Sequence, residues 1–138
     1  MSEIFEGREK MEEVSPFDLH AAFLRRAQTD IRSFLEAFAQ TMEQSLPGRV
    51  EVRRKKDFFF AKTQHVVEIS IHLGATRFVL ENSEKGLRPI RSSEVRGVVL
   101  KSEELPLPEW LAGLNKELGA LSEGMDDAQA ALHDFLMS

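Results

Sequence analysis

The stretch His65–Asn82, HVVEISIHLGATRFVLEN, limits what this chain can become, because it is a complete β-hairpin with one apolar face. Val67, Ile69, Ile71 and Leu73 alternate with Glu68, Ser70 and His72, the period of two that marks a strand buried on one side and wet on the other. Gly74-Ala75 suits a type II′ turn, in which glycine takes the positive φ of the first central position. That turn sets Leu73 opposite Thr76, Ile71 opposite Phe78 and Ile69 opposite Leu80, so both strands send apolar side chains to the same face. The face needs a cover, and the flanking sequence must supply it.

On the N-terminal side, Ser15 is placed to cap a helix whose first residue is Pro16. Phe17, Leu24, Ile31 and Phe38 recur every seven residues, with Ala27, Phe34, Leu35 and Met42 on the same stripe. This spacing predicts one long helix from Ser15 to about Leu46, stopped by Pro47-Gly48. On the C-terminal side, Leu111, Leu114, Leu118, Leu121, Met125, Ala128, Leu132 and Phe135 keep an unbroken three-four spacing after Pro108. The retained phase favours a single helix to about Met137, with a break near Ser122–Gly124 as the alternative, since Gly113, Gly119 and Gly124 each weaken a helix.

Between these helices, strands are expected at 49–54 and 57–62. They are separated because Arg53-Arg54-Lys55-Lys56 resist burial. Alternation then sends Phe58 and Phe60 to the face of Val50 and Val52 and leaves Phe59 outward. After the central hairpin come a loop at 82–86, a short strand at 87–91 whose Pro89 suits an edge, and a strand at 95–101. The expected fold is α+β: an antiparallel meander of four to six strands with a long helix at each end, both packed on one face. Residues 1–14 lack a sustained apolar period and read as a flexible N-terminal arm, leaving 15–138 as a single domain. A chain of 138 residues can bury one core without metal or disulfide staples.

Composition narrows the function classes. The absence of cysteine excludes disulfides and thiol chemistry and is compatible with a cytoplasmic location. No apolar run approaches the ~20 residues of a membrane span, and the glutamate-rich start has no secretory core, so no membrane partner is expected. The net charge of −5 is segregated: residues 49–101 carry twelve Lys/Arg and six Asp/Glu, while both flanks are acidic. The histidines, His20, His65, His72 and His133, have no metal-ligand spacing, and no phosphate loop or nucleophile motif is present. Ser92-Ser93-Glu94 reads as ordinary turn chemistry, and Glu68 and Glu81 as an exposed pair facing each other across the hairpin. No catalytic residue, cofactor or metal ligand is assigned.

Two constellations remain as candidate surfaces. One is Arg53, Arg54, Lys55, Lys56 and Phe59, cations beside an aromatic ring, which is the chemistry of single-stranded nucleic-acid binding. The other is the C-terminal stripe of Leu118, Leu121, Met125 and Leu132 with Trp110 as an anchor. As one continuous helix it would outrun the sheet and need a partner. In small size, acidic pI, terminal amphipathic helices and a central antiparallel sheet, the chain resembles the type III secretion chaperones, departing from them in lacking an evident helix inside the sheet. The expected function is a non-enzymatic, chaperone-like protein-interaction module, homodimeric, acting through apolar helix surface or a sheet edge. Nucleic-acid binding through 53–59 is the alternative, and a small-ligand or enzymatic pocket between sheet and helices is a second.

Overall fold

The computed structural model describes residues 16–120 and 125–137, so the expected N-terminal arm, the Ser15 cap and Leu121 lie outside the described residues. Two helices, α1 (Pro16–Thr29) and α2 (Ile31–Ser45), precede the strands β1 (Val50–Lys56), β2 (Gln64–Leu73), β3 (Thr76–Ser83), β4 (Gly86–Val95) and β5 (Val98–Glu104). Two more helices follow, α3 (Leu107–Ala120) and α4 (Met125–Met137). The five strands form one antiparallel sheet in chain order, with the helices packed against one face.

The central hairpin keeps the expected register: Leu73 faces Thr76, Ile71 faces Phe78 and Ile69 faces Leu80, with Gly74 at φ 63° in the turn. The upstream half of β2 differs. Its pairing with β1 steps from Arg53↔Glu68 to Arg54↔Val66, leaving Val67 as the extra residue of a bulge. A bulge reverses the alternation, so Val66 takes the buried position expected of Val67. Ile69, Ile71, Leu73, Phe78 and Leu80 then join Phe23, Phe34, Phe38, Met42, Trp110, Leu111, Leu114, Leu132 and Leu136 in one continuous core. Gly113 lies directly above Phe78, where an added Cβ would come within 3.3 Å of the ring.

Each long helix of the sequence reading is divided. Asp30 stands between α1 and α2 with extended backbone (φ −161°, ψ 100°), and its carboxylate accepts from the Arg32 and Ser33 amides, so a side-chain cap starts a new helix inside the heptad stripe. At the C-terminus, Gln129 Nε2 donates to Asn115 O and the His133 ring hydrogen-bonds Asn115 Oδ1, each at 2.9 Å. Residues eighteen apart in a continuous helix stand about 27 Å apart, so α4 folds back on α3 instead of prolonging it. Leu111, Leu114, Leu118, Ala128 and Leu132 of the stripe that was expected to overhang are thereby covered within the chain, α4 packing on α2, α1 and α3.

The sheet also corrects three local expectations. Residues 57–63 form a loop, not a strand. Ser92-Ser93-Glu94 belongs to β4, and the turn falls at Arg96-Gly97, both with positive φ (52° and 81°). Pro89 sits in β4, an interior strand, yet its carbonyl accepts from Leu105, beyond the end of β5. A strand residue aims N–H and C=O at the same neighbour, so the missing N–H of Pro89 faces a place where the ladder has already ended.

Candidate functional site

The β4–β5 hairpin closes the sheet. As the last strand, β5 has an outer row of backbone N–H and C=O groups that no strand pairs among the described residues. The positive φ of Arg96 and Gly97 makes a tight turn between the paired Val95 and Val98. Pairing then steps from Glu94↔Val99 to Ser93↔Lys101, leaving Leu100 as a bulge residue. Val98 and Leu100 are 59% and 66% exposed, and Val95 and Val99 are exposed beside them. Four aliphatic side chains thus stand in water around one unpaired strand end.

A second apolar corner lies diagonally across the sheet, at the far end of β1. Asp57 closes the loop between β1 and β2. Its carboxylate accepts from Thr63 Oγ1 at 2.5 Å and His65 Nδ1 at 2.7 Å, with Arg32 at 2.9 Å, while its amide donates to the Thr63 carbonyl. The Thr63 and His65 hydrogen bonds, followed by the charge of Arg32, hold the Asp57 carboxyl below the ordinary carboxylate range. The Ala61 amide donates to Phe58 O, which puts Phe59 and Phe60 at the two central positions of a turn. Phe58, Phe59 and Phe60 are 67%, 83% and 85% exposed. The expected alternation of inward Phe58 and Phe60 with outward Phe59 therefore fails, since it presumed a strand.

The sheet face away from the helices is charged and internally matched. Glu68 and Glu81 are directly opposite each other as expected, but Arg53 and Arg77 approach Glu68 while Arg88 pairs with Glu81 and with Glu104. The hydrogen bond to Glu104 strengthens the hold of Arg88 on its proton. His72 stands 3.4 Å from both Glu51 and Glu94. Beneath these long side chains Ser70 and Val79 are buried, although no helix lies over them among the described residues. An open cleft lined by Arg32, Glu36, Arg54, Asp57, Lys62 and His65 has two of its cations committed, Arg54 to Glu36 at 2.6 Å and Arg32 to Asp57.

The residues proposed from the sequence fall in different places. Trp110, Leu118 and Leu132 are fully buried inside the chain, so they offer no outer surface, and Trp110 donates from Nε1 to Ile90 O at 3.1 Å. Leu121 and the side chain of Met125 lie outside the described residues. Of the basic segment, Arg53 and Arg54 are engaged by Glu68 and Glu36. Lys55 and Lys56 are exposed, make no ion pair among the described residues, and flank Phe58 and Phe59. The exposed aliphatics of β4–β5 were not singled out from the sequence. Their signal is the run Val98-Val99-Leu100, since three consecutive apolar residues in a strand cannot all face one core. No family model, curated protein or solved structure matches the chain.

Proposed function

We propose that the chain is a non-enzymatic protein-interaction module, chaperone-like in holding an extended polypeptide segment on the β5 edge, with a second copy of itself as its first partner. The observation that supports this is the coincidence, at the β4–β5 turn, of a strand whose outer edge no strand pairs among the described residues with four exposed aliphatic side chains. Main-chain groups on such an edge supply affinity for any extended strand, and the apolar side chains supply the surplus that ordinary solvated edges lack. The bulge at Leu100 and the charge of Lys101 limit how long an added strand can be. A short, defined partner segment suits them better than open-ended stacking. With no cysteine to protect or oxidise, the chain suits the cytoplasm.

Sedimentation across a concentration series, paired with amide hydrogen exchange, tests the edge directly. Self-association should rise toward high micromolar concentration and slow the exchange of β5 amides, and the pair Val98→Lys, Leu100→Lys should abolish both effects without lowering the melting temperature. A monomer whose β5 amides exchange equally fast at every concentration would remove self-pairing. Failure of the Lys pair to alter an observed dimer would place the interface elsewhere.

A further inference from the structure

The Phe58–Phe60 loop is a different surface from the β5 edge, and we propose that it is a finger that docks on a phospholipid bilayer carrying anionic headgroups. The three rings project from the end of the sheet while the loop beneath them is fixed by the contacts of Asp57 with Thr63, His65 and Arg32. The rings thus contribute nothing visible to the fold, and the clamp holds them out against the tendency of apolar groups to collapse inward. Lys55 and Lys56 stand beside Phe58 and Phe59, and Lys62 follows two residues after Phe60 on the adjoining cleft, all three exposed and without an ion pair among the described residues. An apolar tip with a cationic collar matches the layering of a membrane surface, where phosphates and anionic headgroups lie just outside the acyl region.

Two features favour lipid over the single-stranded nucleic acid that the same residues first suggested. Phe59 and Phe60 meet edge to face at 89° with centroids 4.7 Å apart, so they do not form the parallel platform on which successive bases stack. Arg53 and Arg54, the groups best able to grip phosphodiesters in two-point fashion, are occupied by Glu68 and Glu36. The expectation of no membrane contact rested on the lack of a span, and among the described residues no helix is long and apolar enough to cross a membrane. A surface contact needs no span, and the acidity of the whole chain does not oppose it, because residues 49–101 are net positive.

Flotation of the full chain with vesicles of phosphatidylcholine alone, and with equimolar phosphatidylcholine and phosphatidylserine, tests the proposal. Binding is expected only to the mixed vesicles and should weaken with salt. Phe59→Ser with Phe60→Ser should lower it about tenfold or more, and Lys55→Gln with Lys56→Gln about 25-fold, at roughly fivefold per cation. Both variants should melt like the parent, since every altered side chain is exposed. In the Phe59→Trp variant, fluorescence should shift to the blue on the mixed vesicles above the constant background of buried Trp110. Absence of flotation at low salt overturns the proposal, as does binding that the Ser pair retains, or an emission spectrum of the Phe59→Trp variant that vesicles leave unshifted. Binding of a single-stranded oligonucleotide that depends on Phe59, without vesicle binding, overturns it in favour of nucleic acid.

Discussion

At the residue scale, two side chains show how the interior is held. Ile71 is wholly buried beneath the helices, so Ile71→Ala removes apolar contacts and leaves a cavity costing about 2–5 kcal/mol, measurable by denaturant unfolding. A loss below about 0.5 kcal/mol would mean that this face of the hairpin is not the floor of the core. Asp57 works through polar contacts instead. Because its carboxyl titrates below its ordinary value of 3.8, the contribution of the clamp is complete above that value and is lost as pH falls through the lower, folded one. Asp57→Asn should therefore speed amide exchange across residues 57–63 at neutral pH while leaving the core protected. In the parent the same loosening should appear only in acid. The hairpin of which Ile71 is part is legible in the sequence because a glycine turn and a strict alternation agree on one register. The loop is not, because alternation takes Phe58-Phe59-Phe60 for a strand and says nothing of a carboxylate that binds residues six and eight positions later.

At the element scale, apolar periodicity locates the stripes of α2, α3 and α4 but misplaces that of α1, where Leu19, Ala22 and Phe23 are buried and Leu24 of the expected stripe is exposed. The seven-residue spacing of Phe17, Leu24, Ile31 and Phe38 runs through Asp30 in the sequence, whereas the capping geometry at that residue separates α1 from α2 and lets α1 bury Leu19 and Phe23 instead of Leu24. Asp30→Ala should leave the Arg32 and Ser33 amides without their acceptor, seen as faster exchange confined to the first turn of α2, whereas Asp30→Asn should largely preserve it. The turn back of α4 on α3 is similarly hidden in an unbroken spacing, the glycines being its only local sign, and it makes His133 a reporter of their packing. Burial lowers the His133 imidazole below its ordinary value of 6.5, so below about that pH the unfolded chain binds more protons than the folded one. Stability should thus be complete above about pH 6.5 and decline as pH falls below it, and His133→Asn should flatten that part of the profile. A parent profile with no inflection between about pH 7 and 5 would count against the burial of His133 between α3 and α4.

At the scale of the whole molecule, the division of the C-terminal segment changes what its removal means. A single overhanging helix would have shed a dimer surface on truncation. Here a chain ending at Gly124 loses Ala128, Leu132 and Leu136 from the common core and uncovers Phe34 and Phe38, whose rings meet Phe135 in tilted contacts. Such a chain should bind a hydrophobic dye and lose its cooperative melting transition. A truncated protein that melts as the parent does would show that α4 is dispensable to the core.

Because strand order follows chain order, the β1–β2 loop and the β4–β5 turn stand at opposite ends of opposite edges. At about 4.8 Å per strand and about 3.4 Å per residue, roughly 35 Å of sheet separates them. Two bodies attached at those corners would not collide, and neither would need the sheet to move in order to bind. Were both proposed contacts made, the sheet would act as a spacer: with one corner held, whatever the other corner recognised would be sampled at a set stand-off and a raised local concentration.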